Sequence, residues 1–409
     1  MKSESSALVL VIGGGVAGIG AALDLAGCGH AVHLVEKGHI LGGQVAKLDK
    51  LYPTDHCAFC PLWTDIKKVR EHPLIAVHTF TEVKEFKRSD DHLHAVMVRK
   101  PPVINENLCV FCGKCAGECP EGAVRTTGDH VYPPSYRIDQ DVCNKCDMCT
   151  KVCPTAAIAF QRSEETSELL IDDVIWASGF TEVDLTPLPE FGLGTHPDIM
   201  TAMEFEEWTA EAGINRGDVI KKSNQSVPQN IAFIQCAGAR DLRMLPYCSA
   251  VCCMHAMKQA QWVQRRKPEI QCVVFYTDLR TVGRDYYEYS LRDVGGSGIR
   301  LIRGRQSLIY PIPQKEGIAI KFENTMTQKR EIWKFDMVVL NGNIGSSLRR
   351  TDQEEHFSPA LSGDGFVKPD SDDISRFACG FSMEPSDVAE SVIQASSTAV
   401  KAILAKRNK

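Results

Sequence analysis

The chain has 409 residues, of which 44% are hydrophobic and 24% charged, and 46 basic against 52 acidic residues give a net charge of -6. This composition predicts two or three globular domains and excludes a disordered chain or a basic nucleic-acid-binding protein. No apolar run approaches the ~18–20 residues that a membrane span needs, and no signal peptide is recognisable, so we expect a cytoplasmic protein. The 17 cysteines in such a chain indicate metal ligation or redox chemistry in a reducing compartment.

The first 36 residues predict a dinucleotide-binding βαβ unit. In chain order its parts are a buried strand over residues 7–12, the glycines Gly13, Gly15 and Gly18 in G-x-G-x-x-G spacing, a helix over 16–26, a strand over 31–35, and Glu36. The glycines allow a tight turn, close approach of the backbone to a pyrophosphate, and contact between helix and strand. Glu36 ends the second strand, where an acidic side chain can take a ribose hydroxyl. The alternative is a purely structural Gly-rich turn, but the complete unit is more specific than the glycines alone.

A second glycine pair follows this unit and favours FAD over NAD. Gly42 and Gly43 lie in a segment that begins with Glu36 and Lys37 and ends with Gln44. The segment resembles the second phosphate-side loop of two-domain flavoproteins. We therefore expect FAD at this site.

Cys57 and Cys60 form a C-x-x-C pair whose role the sequence leaves open. The three interpretations are a role next to the flavin or a cluster, a working dithiol, and a structural pair. Thioredoxin-type chemistry places the first cysteine at a helix N-terminus after a strand, and Pro61 directly after the pair fits that arrangement poorly.

Two cysteine runs with the same spacing predict an inserted ferredoxin domain. Each run reads C-x2-C-x2-C-x3-C-P, the bacterial two-cluster spacing in which the fourth thiolate of one run completes the cluster of the other. The predicted ligand sets of the two 4Fe-4S clusters are Cys109, Cys112, Cys115 and Cys153, and Cys143, Cys146, Cys149 and Cys119. Zinc is the alternative, but a zinc ribbon has little use for a third cysteine and a Cys-Pro in each run. Pro101 and Pro102 open the segment, and we expect the insertion to cover residues 101–161.

The flavoprotein pattern resumes after the insertion. A predicted strand over residues 173–177 runs into Ser178 and Gly179, resembling the glycine-ended strand that returns toward FAD in two-domain flavoproteins. Ala177 and Gly179 therefore join the predicted FAD site.

A second βαβ unit follows, with strands predicted over 231–235 and 271–276 and a helix over 249–263. Where a pyridine-nucleotide-dependent flavoprotein would carry a second G-x-G-x-x-G, this chain reads Cys-Ala-Gly-Ala-Arg. The phosphate cradle is missing, so we do not expect direct reduction of the flavin by NADPH. Four thiols gather at and after this turn, namely Cys236, Cys248, Cys252 and Cys253. Simple packing of small cysteines is the alternative, although four in eighteen residues is dense.

The C-terminal segment predicts a helix that starts near the flavin. Asp387 and Glu390 form a variant of the capping box, and apolar residues at 388, 392, 395, 399 and 403 keep a helical stripe. The N-terminus of this helix could face the flavin pyrimidine, with Gly380, Asp387 and Val388 beside the cofactor, and its partial positive charge would stabilise an anionic reduced form. A plain packing helix is the alternative. Cys28, Cys272 and Cys379 are interpreted as small core residues.

Three motifs, taken together, resemble the flavoprotein component, called A, of heterodisulfide reductases. They are the segments 234–241 with 246–253 around the Cys-rich turn, 52–60 around the C-x-x-C pair, and 380–387 running into 392–395. The resemblance implies a further 4Fe-4S cluster on Cys236, Cys248, Cys252 and Cys253. It also implies a departure from the long form of that family, because we expect neither an extension before the Gly-rich strand nor a second ferredoxin after the helix. In length and layout it looks most like the corresponding flavoprotein of the quinone-interacting membrane-bound oxidoreductase complex of sulfate reducers.

The predicted fold class is therefore α/β, with two Rossmann-like units of the thioredoxin-reductase, FAD-dependent type and an inserted α+β two-cluster ferredoxin. The expected domains are FAD-binding at 1–100, 162–225 and 346–409, ferredoxin at 101–161, and a second Rossmann-like domain at 226–345. The predicted function is that of an FAD and iron–sulfur electron-transfer subunit: an oxidoreductase component held at the cytoplasmic face of the inner membrane by partner subunits. These partners would include a membrane cytochrome, and electrons would pass between quinone and a soluble reductase of sulfur metabolism. The alternatives are an electron-bifurcating subunit of a soluble heterodisulfide reductase or hydrogenase complex, an NAD(P)H-dependent disulfide reductase using the C-x-x-C pair, and a scaffold with structural clusters.

Overall fold

A computed structural model describes residues 8–89, 92–105, 108–126, 136–139, 142–160, 163–213, 215–291, 296, 298–314, 316–349, 359–372 and 374–407. The α-helices assigned within these ranges are α1 Val16–Gly27, α2 Phe59–Glu71, α3 Lys114–Gly117, α4 Met148–Val152, α5 Ala202–Thr209, α6 Cys252–Arg266, α7 Tyr286–Tyr289 and α8 Val388–Arg407.

The strands assigned to the same ranges are β1 Leu8–Ile12, β2 Ala31–Val35, β3 Lys50–Leu51, β4 His56–Cys57, β5 Ile75–His78, β6 Thr81–Ser89, β7 His92–Arg99, β8 Val124–Thr126, β9 Tyr136–Ile138, β10 Glu165–Ile171, β11 Asp173–Trp176, β12 Phe180–Glu182, β13 Ile199–Thr201, β14 Asn230–Ile234, β15 Gln271–Tyr276, β16 Arg300–Arg303, β17 Gln306–Pro311, β18 Ile318–Asn324, β19 Lys329–Phe335, β20 Met337–Leu340, β21 Ile344–Ser346 and β22 Phe377–Ala378. None of the helices in the described ranges is both long and apolar enough to cross a bilayer.

The first Rossmann-like unit is a parallel sheet with strand order β22-β11-β1-β2-β5. The β1 sequence LVLVI is apolar throughout, and both faces of the strand are covered, as expected for a central parallel strand. Helices α1, α2 and α8 cover one face, where Val9, Leu25 and Ala395 lie in one core. An antiparallel sheet, β10-β7-β6, covers the other face through a core that contains Leu10 and Trp176.

The second unit is also a parallel sheet, with strand order β13-β20-β14-β15-β16. Helices α5 and α6 pack on one face, around Phe205 and Phe233, and the antiparallel sheet β17-β18-β19 packs on the other. Strand β13 pairs with β20 through Ile199 and Val338. The domain boundary predicted at residue 226 is therefore placed too late, because the second sheet already includes residues 199–201.

The cysteine-rich insertion leaves and rejoins the FAD-binding domain at one place. Strands β7 and β10, which flank it, pair antiparallel with Arg99 opposite Glu165. Within the insertion the Ala159 N–H donates to the Val103 carbonyl oxygen at 2.8 Å, and Ile104 pairs with Ile158. The insertion thus takes the place of a hairpin loop, and α3, α4, β8 and β9 surround a small core of its own.

Candidate flavin and iron–sulfur sites

The Gly-rich turn joins β1 to α1, and its three predicted glycines have different roles. Gly13 has a φ of +112°, and a Cβ added there would lie 2.3 Å from the Ala177 carbonyl oxygen. A Cβ added at Gly18 would lie 1.8 Å from the Gly13 carbonyl oxygen. At Gly15 the nearest atom would be the Gly43 Cα at 3.9 Å. Packing therefore requires glycine at the first and third positions, whereas the second faces open space, as the approach of a pyrophosphate demands.

Glu36 lies where the sequence predicts it, at the end of β2 and beside the Gly-rich turn. Its Oε2 accepts a hydrogen bond from the Gly14 N–H at 2.8 Å, and its Oε1 accepts one from the Gly38 N–H at 2.6 Å. These bonds fix the carboxylate at the edge of the cavity described below. Each carboxylate oxygen retains a lone pair, so the group can still accept from a ribose hydroxyl.

The second glycine pair closes against the first turn. The Gly42 N–H donates to the Gly14 carbonyl oxygen at 2.7 Å. Gly43 has a φ of +56°, and an added Cβ would come within 2.9 Å of the Gly15 Cα. The two glycine loops are therefore in direct contact and form one backbone surface.

These loops open into a cavity of about 2040 Å³ between the two Rossmann-like units. The predicted FAD-binding residues that line it are Gly13, Gly15, Val16, Ala17, Glu36, Lys37, Gly42, Gly43, Gln44, Ala177, Gly179, Asp387 and Val388. Gly18 and Gly380 do not line it, and a Cβ at Gly380 would lie 2.9 Å from the Ala17 Cβ. The cavity is also lined by Arg125 and Arg137 of the insertion and by Cys252 of the Cys-rich turn. It thus borders both cysteine-rich regions.

The N-terminus of α8 lies at this cavity with the predicted capping box. The Asp387 N–H donates to the Glu390 Oε2 at 3.0 Å, and the Glu390 N–H donates to the Asp387 Oδ1 at 2.8 Å. The Tyr286 hydroxyl donates to the other oxygen of Asp387, which fixes the helix start against the second domain.

The apolar stripe predicted for α8 is partly wrong. Ala395 and Ala399 are fully buried, but Val392 is 42% exposed. The buried face also contains Thr398, whose hydroxyl donates to the Ala378 carbonyl oxygen at 3.0 Å. A small or hydrogen-bonded residue fits this close contact with α1 and β22 better than valine.

The insertion brings one predicted ligand set together across the two cysteine runs. A small cavity is lined by all four of its thiols, Cys119, Cys143, Cys146 and Cys149. In the other run, burial first and then the nearby Cys109 and Cys112 raise the pKa of the Cys115 thiol. Within the described residues, no three His, Cys, Asp or Glu side chains lie close enough to share one metal ion.

The four thiols of the Cys-rich turn also lie near one another. Burial, followed by the proximity of Cys253 and Cys248, raises the pKa of the Cys236 thiol. The Cys252 thiol hydrogen-bonds to Cys253, and Cys236 and Cys248 further raise its pKa. Three of the four are buried, and Cys248 is partly exposed. This side of the site also holds Arg240, which is paired with Asp278 at 2.9 Å.

The helix after this turn begins later than predicted. Cys236, Arg240 and Ala250 all have positive φ, so residues 235–251 form an extended loop rather than a tight turn. The Ser249 hydroxyl donates to the Gly342 carbonyl oxygen at 3.1 Å and holds this loop on β20 and its extension. Helix α6 starts at Cys252 rather than at the predicted Ser249, so Cys248 lies in the loop and not on the helix.

Two buried polar side chains beside the turn have no hydrogen-bond partner for some of their atoms. Both the amide nitrogen and the oxygen of Gln235 are unpaired, as is the Asn341 Oδ1, although each residue is at most 4% exposed. Gln235 directly precedes Cys236, and Asn341 lines the large cavity. Buried polar atoms without partners are uncommon in folded proteins, and bound groups supply them in cofactor sites.

The C-x-x-C pair lies between the end of a strand and the first turn of a helix. Cys57 ends strand β4, and Cys60 lies in the first turn of α2, which starts at Phe59. The objection from Pro61 is wrong, because the first helical N–H groups have no intrahelical partner and proline there removes no bond. Cys57 lines the large cavity, whereas Cys60 is exposed.

The remaining cysteines divide in two. Burial raises the pKa of the Cys272 and Cys379 thiols to about 12, as expected for core residues. Cys28 is exposed at the end of α1, so its assignment to the core is wrong.

A buried ionic network at the domain interface had no signal in the sequence. Glu206 and Lys258 are each 4% exposed and form an ion pair. Glu206 also accepts from the Asp49 N–H at 3.0 Å and from Gln259 at 2.9 Å, and it contacts His255 at 3.2 Å. Burial alone would raise the pKa of Glu206, but the charge of Lys258 holds it well below its ordinary value. A lysine on an amphipathic helix usually marks the solvent face, which is why the pattern did not reveal it.

The fold and the cavity define an FAD-dependent oxidoreductase with an inserted two-cluster ferredoxin. The family model described as "FAD dependent oxidoreductase" matches residues 9–55, and the one described as "4Fe-4S dicluster domain" matches residues 108–157. Among solved structures, thioredoxin reductase from Lactococcus lactis aligns with a TM-score of 0.55 at 12% identity, covering 97% of this chain and 98% of that one. Thioredoxin reductase from T. acidophilum aligns with a TM-score of 0.53 at 11% identity, covering 96% of each chain. At these identities the likeness establishes the fold.

The chain is similar to the iron-sulfur A subunits of heterodisulfide reductases over almost its whole length. It is 33% identical to the iron-sulfur A subunit of the CoB--CoM heterodisulfide reductase of Methanocaldococcus jannaschii, over 95% of this chain and 63% of the relative. It is 35% identical to the second iron-sulfur A subunit of the same type of reductase in Methanopyrus kandleri, over 99% of this chain and 65% of the relative. The chain thus spans somewhat less than two thirds of the length of these curated relatives.

Proposed function

We propose that this chain is the FAD and iron–sulfur electron-transfer subunit of a heterodisulfide-reductase-like complex. The homology supports an oxidoreductase subunit, whereas the cavity supports the electron path, because it borders both the insertion and the Cys-rich turn. FAD exchanges one or two electrons and each cluster exchanges one. A flavin in this cavity would therefore connect a two-electron reaction to single-electron carriers on either side.

Within the cavity we assign FAD to the residues predicted from the sequence. The backbone at Gly15 faces open space at the N-terminus of α1, which suits the pyrophosphate, and Gly43 packs against it. Glu36 is positioned for the ribose, and the α8 N-terminus at Val388 offers its partial positive charge to the cavity.

For the insertion we assign the crosswise ligand sets. The cluster on Cys143, Cys146 and Cys149 is completed by Cys119, which is supported by the small cavity that these four thiols share. By the same spacing rule, Cys153 completes the cluster on Cys109, Cys112 and Cys115.

The observation that carries the proposal is the exchange of a nucleotide turn for a cluster of thiols. A 17-residue segment separates β14 from α6, and it brings together Cys236, Cys248, Cys252 and Cys253 where a Gly-rich turn would hold a pyridine nucleotide. The unpaired amide of Gln235 fits a bound group at this place, since the sulfides of a cluster accept hydrogen bonds. We therefore assign a third 4Fe-4S cluster to these four thiols.

Iron analysis of a matched pair of variants tests this assignment. The anaerobically purified chain should hold one FAD and about twelve irons, at four per cluster. Cys236→Ala should lose about four irons and keep the ferredoxin-type signals in electron paramagnetic resonance. Cys272→Ala removes a buried cysteine of the same sheet that lies outside the cluster of thiols, and it should keep all twelve. A full-length chain with intact ferredoxin signals that never exceeds about eight irons would exclude the third cluster.

For the partners we propose a soluble reductase of sulfur metabolism together with a membrane cytochrome subunit, with the chain held at the cytoplasmic face of the inner membrane by protein contacts. The resemblance of the chain to the flavoprotein of the quinone-interacting membrane-bound oxidoreductase complex supports this choice. Isolation of the native complex and identification of its components tests it. A cytochrome partner supports quinone-linked transfer, whereas recovery with soluble hydrogenase or formate dehydrogenase proteins would replace it with the bifurcating alternative.

A further inference from the structure

The C-x-x-C pair is held by regular structure on both sides. Strand β4 pairs antiparallel with β3, which places Cys57 opposite Lys50. The next residue, Ala58, donates its N–H to the Asp49 carbonyl oxygen at 3.0 Å. Helix α2 then runs for 13 residues from Phe59. The two sulfurs are therefore placed by a strand end and a helix start rather than by a free loop.

The two thiols interact with each other and with the helix N-terminus. Burial alone would raise the pKa of Cys57, but a hydrogen bond from the Cys60 thiol and the N–H groups of Cys60 and Phe59 lower it. The same thiol–thiol bond raises the pKa of Cys60. A cysteine whose pKa is lowered by hydrogen bonds from a neighbouring thiol and from the start of a helix is typical of reactive C-x-x-C pairs.

The two cysteines of the pair have different surroundings, the large cavity for one and solvent for the other. Cys57 lines the cavity in which we place FAD, together with Tyr52 and Thr54 of the preceding loop. Cys60 is exposed, and so is Trp63, which follows it by three residues on α2 and is 38% exposed. One cysteine of the pair therefore lines the cofactor cavity, and the other is accessible to a molecule in solution.

We propose that Cys57 and Cys60 form a redox-active dithiol that exchanges electrons between the FAD cavity and a disulfide outside it. This proposal rests on FAD occupying the cavity and goes beyond electron transfer through clusters. Once Cys57 is deprotonated, the Cys60 thiol passes its proton to the Cys57 thiolate along their hydrogen bond and attacks the external disulfide, which forms a mixed disulfide and releases one thiolate. That thiolate takes the proton from Cys57. The Cys57 sulfur then attacks the Cys60 sulfur, which forms the Cys57–Cys60 disulfide and releases the second thiolate. Two electrons from the reduced flavin and one proton restore the thiolate–thiol pair, and the flavin is oxidised.

The first test measures the disulfide itself in the full-length chain and needs no bound flavin. The protein is equilibrated anaerobically with mixtures of reduced and oxidised dithiothreitol, alkylated, and digested for mass spectrometry. We expect Cys57 and Cys60 to lose alkylation together and to appear as one linked peptide. Cys28, which is exposed elsewhere on the surface, should stay alkylated throughout. Two thiols that remain alkylated at every ratio would overturn the proposal.

The second test measures electron transfer between the dithiol and the flavin in the cavity. Reduced dithiothreitol should bleach the flavin of the full-length chain, and it should do so at least about tenfold more slowly in Cys57→Ser and Cys60→Ser than in Cys28→Ser. Equal rates in all three variants would overturn the proposal. FAD and iron contents are measured in the same samples. Loss of about four irons in either Cys57→Ser or Cys60→Ser would overturn the proposal and identify the pair as cluster ligands. Absence of FAD from the wild-type chain would refute the proposed function, and the disulfide measurement of the first test would still be valid.

Discussion

Replacement of Lys258, which is buried at the domain interface, tests how much its ion pair with Glu206 stabilises the protein. Lys258 and Glu206 are each 4% exposed, so Lys258→Met leaves a buried carboxylate without its counter-ion. Breaking a buried pair in this way destabilises a protein by about 3–5 kcal/mol. For a chain of 409 residues, an unfolding entropy of about 2.1 cal/mol/K per residue converts that loss to a fall in Tm of about 4–6 °C.

The assay is calorimetry or thermal unfolding at a fixed scan rate, since many large multidomain proteins unfold irreversibly. Lys68→Met is the matched control, because Lys68 pairs with Asp65 at 2.8 Å but is 60% exposed, and exposed pairs contribute little. The control should shift Tm by less than about 1 °C. The double variant with Glu206→Leu should recover at least half of the loss, since no buried charge then remains. Equal shifts in Lys258→Met and Lys68→Met would refute the reasoning.

The loss of stability in Lys258→Met should depend on pH. In the wild type the native pKa of Glu206 is held below its unfolded value, so the stabilisation that it provides is present above the unfolded pKa and is lost as the pH falls through the native one. In Lys258→Met burial raises the pKa of Glu206, and protonation relieves the buried charge as the pH falls. The difference in Tm between wild type and variant should therefore be larger at pH 8 than at pH 5, and a difference that grows on acidification would contradict the assigned pair.

Two further predictions concern the nucleotide sites. Gly15→Ala should leave the fold intact, because no protein atom other than the Gly43 Cα lies within 4 Å of the added Cβ, but should weaken FAD binding by about tenfold or more. Gly18→Ala should instead destabilise the protein, since its Cβ would lie 1.8 Å from the Gly13 carbonyl oxygen. Circular dichroism measures the loss of fold, and titration with FAD measures the loss of binding. An unchanged FAD affinity in Gly15→Ala would place the pyrophosphate elsewhere. NADH and NADPH should not bleach the flavin of the isolated chain while dithionite does, because the loop between β14 and α6 carries thiols instead of a phosphate cradle; stoichiometric reduction by NADPH within seconds would refute this.

Elements with strong local signals were predictable from the sequence. Strands β2 and β15 have the predicted bounds, and α1 differs from its prediction by one residue at its end. Each has either a continuous apolar run or a glycine signal, and these features act over a few residues. The α8 capping box was predictable for the same reason, since both of its partners lie within one helical turn.

Features that depend on contacts distant in sequence were not predictable. The start of α6 was misplaced because the Cys-rich loop is held by Gly342, which lies 93 residues from Ser249. Strand β13 was assigned to the wrong domain because the strand it pairs with, β20, follows it by more than 130 residues. The position of Cys57 depends on the two-residue ladder between β3 and β4, which is too short to leave a periodic pattern.

The buried contacts at the interface bear on how such a protein transfers electrons. Two residues of the segment 49–57 bind the second domain. Asp55 accepts hydrogen bonds from Arg265 at 2.7 Å and from the Tyr289 hydroxyl at 2.9 Å. The Asp49 N–H donates to the Glu206 carboxylate at 3.0 Å. A diffusible nucleotide must enter and leave its site, so a domain that binds one gains from a loose interface. A cluster stays in place, and electron transfer from it needs a short and constant distance to the flavin. We expect the buried Glu206–Lys258 pair to contribute to this constancy, because Lys258 lies on the same helix as Cys252 and both residues line the cavity.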